Sequence, residues 1–170
     1  MARLVLTDAS PLIGLARVDG VDWLRALFGA VWWPPEVRAE VLTGKGLPGE
    51  DAIAQAESAG WLRSTGPAPV EPALPDLDEG EAACIRVALA RRTQEGEGAS
   101  LALLLMDERA GRRIAIEHGM RVAGTAAVIG MARSRGLIVS ARDVFARLHA
   151  TDFRIAPEVI ATVLKRVGEG

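Results

Sequence analysis

Two aspartates each stand directly after an apolar run, Asp8 after Arg3–Thr7 (RLVLT) and Asp107 after Leu101–Met106 (LALLLM). A short unbroken apolar run suits a strand buried on both faces of a parallel sheet. Open α/β sheets place their ligands at the carboxyl ends of such strands. The competing reading of Asp107 is an N-cap for a helix beginning at Glu108. Other carboxylates stand where they can join the pair. Glu36 and Glu40 lie four apart, on one face of one helix, and Glu81 lies in the first turn of another. Each also has a purely structural reading. Glu36 suits the helix dipole, Glu40 suits a solvated face, and Asp78 with Glu81 has capping-box spacing. Glu79 and Glu81, two apart, face different ways.

Clustered carboxylates without His or Cys are hard oxygen ligands, suited to Mg²⁺ or Mn²⁺ and poor for zinc. Such an ion positions and activates water for in-line attack on a phosphodiester. Without it, carboxylates so close repel and raise one another's pKa. Thr125 reads as a helix N-cap whose hydroxyl and free amides can reach a phosphate or a metal-bound water. Arg112 and Arg113, one turn past Asp107, are candidates for a phosphate contact, against the alternative of a solvated helix face. There is no phosphate loop of the GxxxxGK[ST] kind and no G-x-S-x-G elbow. His118 and His149 are isolated and read as structural or surface residues.

These side chains need a scaffold, and the pattern supplies one. Strands are expected at Arg3–Thr7, Ala30–Trp33, Leu101–Met106 and Arg121–Ala123, with a brief extended piece at Trp61–Arg63 and a last edge strand at Leu137–Ser140. Helices are expected from Ser10-Pro11 (hydroxyl N-cap, then proline at the first helical position), over Val21–Phe28, Glu36–Leu42, Asp51–Ala59, Asp78–Arg92 and Glu108–His118, and from Thr125 to Arg135. Two more lie near Ala141–His149 and Pro157–Val167. The prolines of Gly66–Pro75 (GPAPVEPALP) exclude a helix or an interior strand there. Alternating strands and helices imply a three-layer α/β/α domain on a parallel sheet. Residues 1–150 read as the main unit, with a loose segment within 43–76, and 151–170 as a helical extension of the same domain.

The chain has 170 residues, 49% of them apolar and 25% charged, which fits one soluble domain. Its one cysteine, Cys84, excludes an internal disulfide and reads as a small buried residue. No apolar run approaches the roughly 20 residues needed to cross a bilayer, and no leader-like segment opens the sequence, so a cytoplasmic location without membrane contact is expected. Net charge is −2, with 9 basic against 16 acidic residues up to Asp107 and 11 against 6 beyond it. Such asymmetry fits a phosphate-facing side or an oppositely patterned partner.

The chain resembles the PIN-domain ribonuclease superfamily, in particular a prokaryotic toxin-like branch related to VapC-type toxins. The resemblance rests on VLTDASPLIGLA, WPPEVRAEV, LDEGEAACIRVA, LLLMDERAGRRIA and GMRVAGTAAVIGMARSRGLI, which occur in family order. It implies a sheet of about five parallel strands and an acidic quartet of Asp8, Glu40, Glu81 and Asp107, supported by Ser10 and Thr125. It also implies Mg²⁺- or Mn²⁺-dependent hydrolysis of RNA, a homodimer, and a cognate antitoxin as partner. The chain is longer than a compact VapC-type toxin, and its third acid is glutamate. Within this reading Asp8, Glu81 and Asp107 are the metal ligands, and Glu40 orients or deprotonates the attacking water. The alternative is a PIN-fold module of weak or no catalytic activity that binds a protein or RNA partner. A phosphoacceptor domain ranks below both, because the only lysines, Lys45 and Lys165, fall in a loop and the last helix.

Overall fold

Five three-residue strands pair into one sheet in the computed structural model, which describes residues 3–96 and 102–170. In chain order the elements are β1 (Val5–Thr7), α1 (Ala9–Ala16), α2 (Val21–Phe28), β2 (Val31–Trp33), α3 (Pro35–Val41), α4 (Glu50–Ser58) and β3 (Leu62–Ser64). They continue with α5 (Glu79–Glu95), β4 (Leu103–Leu105), α6 (Arg109–Glu117), β5 (Arg121–Ala123), α7 (Thr125–Ser134), α8 (Ala141–His149) and α9 (Pro157–Arg166). The strand order is β3-β2-β1-β4-β5, and every pairing is parallel.

Order and register decide where the acids fall. β1 lies at the centre with Thr7 opposite Leu105 of β4, so Asp8 and Asp107 leave adjacent strands at the same end of the sheet. The Asp8 amide donates to the Leu105 carbonyl at 2.9 Å, which carries the pairing one residue past β1. Connections run one way from β1 through β2 to β3 and the other way from β4 to β5, so the β1/β4 boundary is the topological switch point.

The central strands β1 and β4 are buried along their whole length, as apolar triplets require, whereas Arg63 and Ser64 of β3 and Arg121 of β5 are exposed at the sheet edges. Leu6, Val31, Trp33, Leu104 and Leu105 are fully shielded, each such side chain stabilising the fold by roughly 1.5–3 kcal/mol. On one face α1, α2, α4 and α7 touch one another, and α5 and α6 pack together in the other helical layer. α3 contacts both α1 and α5, closing the carboxyl end of β2 near the acids. α9 packs on α7 and α8 through Val163 and Leu164. The proline segment before α5 contains no helix or strand.

Three expectations need correction, and one competing reading falls. Leu137–Ser140 is not a strand: Val139 is 93% exposed, and Ser140 instead caps α8, accepting from the Asp143 amide. Ser10 lies inside α1, because Asp8 occupies the N-cap position. Thr125 is the first residue of α7, with Gly124 in extended backbone before it. Asp107 does not cap α6, whose N-cap position is Glu108. The expected strand over Leu101–Met106 is observed as β4; residue 101, like Gly98 before it, lies outside the described residues. Among the described residues no helix is long and apolar enough to cross a membrane.

Candidate metal centre

The site is built on Asp8, and what its side chain does not do is informative. It sits at the N-cap position of α1 yet makes no capping hydrogen bond. Its residue is only 4% exposed, and Oδ1 is shielded from water without a hydrogen-bond partner among the described residues. A buried carboxylate oxygen left unpaired is costly unless something else neutralises it.

Its neighbours are more acids. One carboxylate oxygen from each of Asp8, Asp78 and Glu81 lies within 4.8 Å of the others. Mg²⁺ holds oxygens at about 2.1 Å, so opposed ligands stand about 4.2 Å apart. The trio is therefore close to the span of one small ion, and its all-oxygen chemistry fits Mg²⁺ or Mn²⁺. Asp78 and Glu81 also form a complete capping box at the start of α5. The Glu81 amide donates to Asp78 Oδ1 at 2.8 Å, and the Asp78 amide donates to Glu81 Oε2 at 3.4 Å. The structural reading of this pair thus holds, and the pair faces Asp8 as well.

The electrostatics record the crowding. Burial pushes the Asp8 carboxyl up to about 7, against the pull of the Ala9 amide, with Asp78, Glu81 and Glu40 adding repulsion. Glu81 is raised by burial and then by Asp78, and Glu40 by the same two causes. Cys84, fully buried with its thiol donating to the Thr7 carbonyl at 3.5 Å, is raised first by burial and then by the acids around Asp8.

Glu40 lies on α3 at the solvent side. A Cβ on Gly80 would stand 3.0 Å from Asp8 Oδ1 and 3.4 Å from Glu40 Oε2, so both carboxylates reach one glycine of α5. Gly111 of α6 plays a similar part: its Cβ would meet Glu81 Cδ at 3.2 Å and Met106 Sδ at 2.6 Å. These glycines let two helices approach the acids with no side chain between.

Asp107 stands beside this cluster, outside the close trio. Its Oδ1 accepts from the Thr125 amide at 2.8 Å, and its Oδ2 accepts from Thr125 Oγ1 at 2.8 Å and Ser10 Oγ at 3.0 Å. An ionised carboxylate at the start of α7 is favoured by the helix dipole and the free amide. Thr125 is fully buried and spends its hydroxyl proton on Asp107, so it meets a substrate only through that residue. Arg112 donates to the Met106 carbonyl at 3.0 Å, which ties α6 to the end of β4. Arg113 instead pairs with Glu117 on the exposed face of its helix. His149 Nε2 accepts from the Ile155 amide at 3.2 Å, a structural contact remote from the acids in sequence and role.

The structure therefore gathers Asp8, Glu40 and Glu81, and sets Asp107, Ser10 and Thr125 as a hydrogen-bonded group next to them. Sequence reasoning missed Asp78 as a member of the cluster, and the glycines at 80, 111 and 124. The signal for Asp78 was present: an acid three residues before Glu81 shares its helix start, and one cap does not use up two carboxylates.

Fold and site together define a parallel α/β domain with a cluster of carboxylates at its switch point. A family model described as PIN domain matches residues 4–169, and the chain belongs to that family. No curated protein and no solved structure matches it. PIN domains are generally nucleases and generally use a divalent metal, and the acidic cluster fits such a site.

Proposed function

We propose that this protein is a Mg²⁺- or Mn²⁺-dependent endoribonuclease that hydrolyses RNA phosphodiester bonds. The observation that carries the reading is the buried Asp8 carboxylate, one oxygen of which lies within 4.8 Å of oxygens of Asp78 and Glu81 while its Oδ1 has no hydrogen-bond partner among the described residues. Family membership supports the nuclease class. An ion bound there would neutralise charge developing on the phosphate and make water a better nucleophile.

The protein's own groups divide the remaining work. Asp8 and Glu81 hold the ion from the buried side. Glu40, at the exposed mouth and with its carboxyl raised above the ordinary range, accepts the proton of the attacking water. A raised pKa makes it the stronger base once ionised. Asp107 fixes the opposite wall by binding the start of α7 and Ser10 together. Arg112, anchored on the Met106 carbonyl, keeps its other N–H groups available for a phosphate oxygen.

The test is incubation of wild type, Asp8→Asn and Asp107→Asn with mixed RNAs and Mn²⁺. Cleavage by wild type that is lost with EDTA and falls at least 100-fold in Asp8→Asn is expected. Equal cleavage by all three proteins would refute the assignment. RNA binding with no metal-dependent cleavage would instead leave a binding module on the same fold.

A further inference from the structure

The three close carboxylates are not the set that the resemblance marks out. Asp107, a member of the implied quartet, directs both oxygens to Ser10 and Thr125. Asp78, outside that quartet, stands with Asp8 and Glu81. We propose that Asp78 is a direct ligand of the cation, and that the capping box of α5 serves to orient two of the three ligands.

Each carboxylate of the capping box commits one oxygen to a backbone amide: Asp78 Oδ1 to the Glu81 amide, and Glu81 Oε2 to the Asp78 amide. Each residue keeps one further oxygen. The cap fixes both side chains against the first turn of α5, Glu81 buried and Asp78 at the exposed side. A metal site gains affinity when its ligands are held in place by other hydrogen bonds. Independent evidence that a ligand belongs there comes from the other side of the pocket. Asp8 is buried, declines its own helix cap, and has an Oδ1 without a hydrogen-bond partner among the described residues, beside Gly80 in the first turn of α5, with one of its carboxylate oxygens within 4.8 Å of the capping pair.

Helix polarity alone does not explain the arrangement. The capping box already satisfies the start of α5 with one oxygen from each of two carboxylates. Placing a buried third carboxylate against that start adds only repulsion, unless a cation stands between. Asp107 then acts as a positioning residue, setting α7 and Ser10 against the strand ends.

This assignment rests on the metal-dependent reading above, and the experiment separates the two. Wild type, Asp8→Asn, Asp78→Asn and Asp107→Asn are titrated with MnCl₂, following the electron paramagnetic resonance signal of free Mn²⁺, with RNA cleavage measured in parallel. Asparagine caps a helix about as well as aspartate, so Asp78→Asn keeps α5 while removing the charge. Asp78→Ser, which also caps, serves as a second variant with a shorter reach, and circular dichroism confirms the fold of each. The expected result is Mn²⁺ affinity weakened at least tenfold in both Asp78 variants and more in Asp8→Asn, with Asp107→Asn closer to wild type than either Asp78 variant. Folded Asp78 variants that bind Mn²⁺ within twofold of wild type overturn the assignment. So does loss of binding in Asp107→Asn with binding retained in Asp78→Asn. If either result comes with intact metal-dependent cleavage by wild type, the nuclease reading survives alone. Wild type that binds no Mn²⁺ removes both.

Discussion

Replacing Asp8 with asparagine should make the metal-free protein more stable at neutral and alkaline pH, although it destroys the site. The Asp8 carboxyl moves from 3.8 to about 7 on folding, chiefly through burial. The sign follows from linkage: a carboxyl that binds its proton more tightly when folded stabilises the fold below its unfolded pKa and withdraws that stability as pH rises. The loss begins near pH 4 and is complete somewhat above pH 7. At 1.36 kcal/mol per tenfold difference, it amounts to roughly 4 kcal/mol. Asparagine carries no charge, and its amide can donate to the neighbouring carboxylates. Its own desolvation removes part of the gain, leaving roughly 2–3 kcal/mol. For a domain of this size that is a rise in Tm of about 5–10 °C at pH 8. The assay is thermal unfolding in EDTA at pH 4, 6 and 8, repeated with saturating Mn²⁺. The variant's advantage should vanish at pH 4 and grow to pH 8. Saturating Mn²⁺ should reverse the order of the two proteins, because only wild type gains stability by mass action. A metal-free variant less stable than wild type at pH 8 would refute the claim that the Asp8 charge is under strain.

Gly111→Ala puts a methyl 2.6 Å from Met106 Sδ and 3.2 Å from Glu81 Cδ; it should cost about 1–3 kcal/mol in urea unfolding and weaken the Mn²⁺-induced rise in Tm. Thr125→Val keeps the shape of a fully buried side chain but removes one donor from Asp107. A loss of about 1–3 kcal/mol is expected, with the amide and Ser10 still holding the carboxylate. Glu169 accepts from the Ala141 and Arg142 amides and from Ser140 Oγ, and these contacts, the Ala141 amide first, hold its carboxyl below the ordinary range. Glu169→Ala should therefore lower Tm at pH 7, and the difference from wild type should shrink as pH falls through the Glu169 carboxyl range.

The scaffold was readable because its three inner strands are largely apolar triplets between turn and helix signals, and because an aspartate follows two of them. The same logic set Asp8 and Asp107 at strand carboxyl ends, and the pairing of β1 with β4 makes those strands adjacent. Local rules were less decisive where two satisfied the same residues. Ser10-Pro11 fits a helix start, yet Asp8 two residues earlier takes the cap position without using its side chain. Leu137–Ser140 has strand-like residues, but no signal showed that Ser140 and the distant Glu169 would be spent on the start of α8. Asp78 was read as a cap, correctly, and its second role depends on Asp8 arriving from seventy residues away. The glycines at 80 and 111 belong to the same class: their meaning lies in what the opposing element brings.

The central position of β1 has a consequence for how the chain is made. One flank of β1 is covered as soon as β2 emerges, but the other waits for β4, about a hundred residues later in synthesis. During that interval an apolar strand has an open hydrogen-bonding edge, the feature through which half-finished chains pair with one another. Yield of soluble protein should thus depend more on translation speed and chaperone supply than the stability of the finished molecule would suggest.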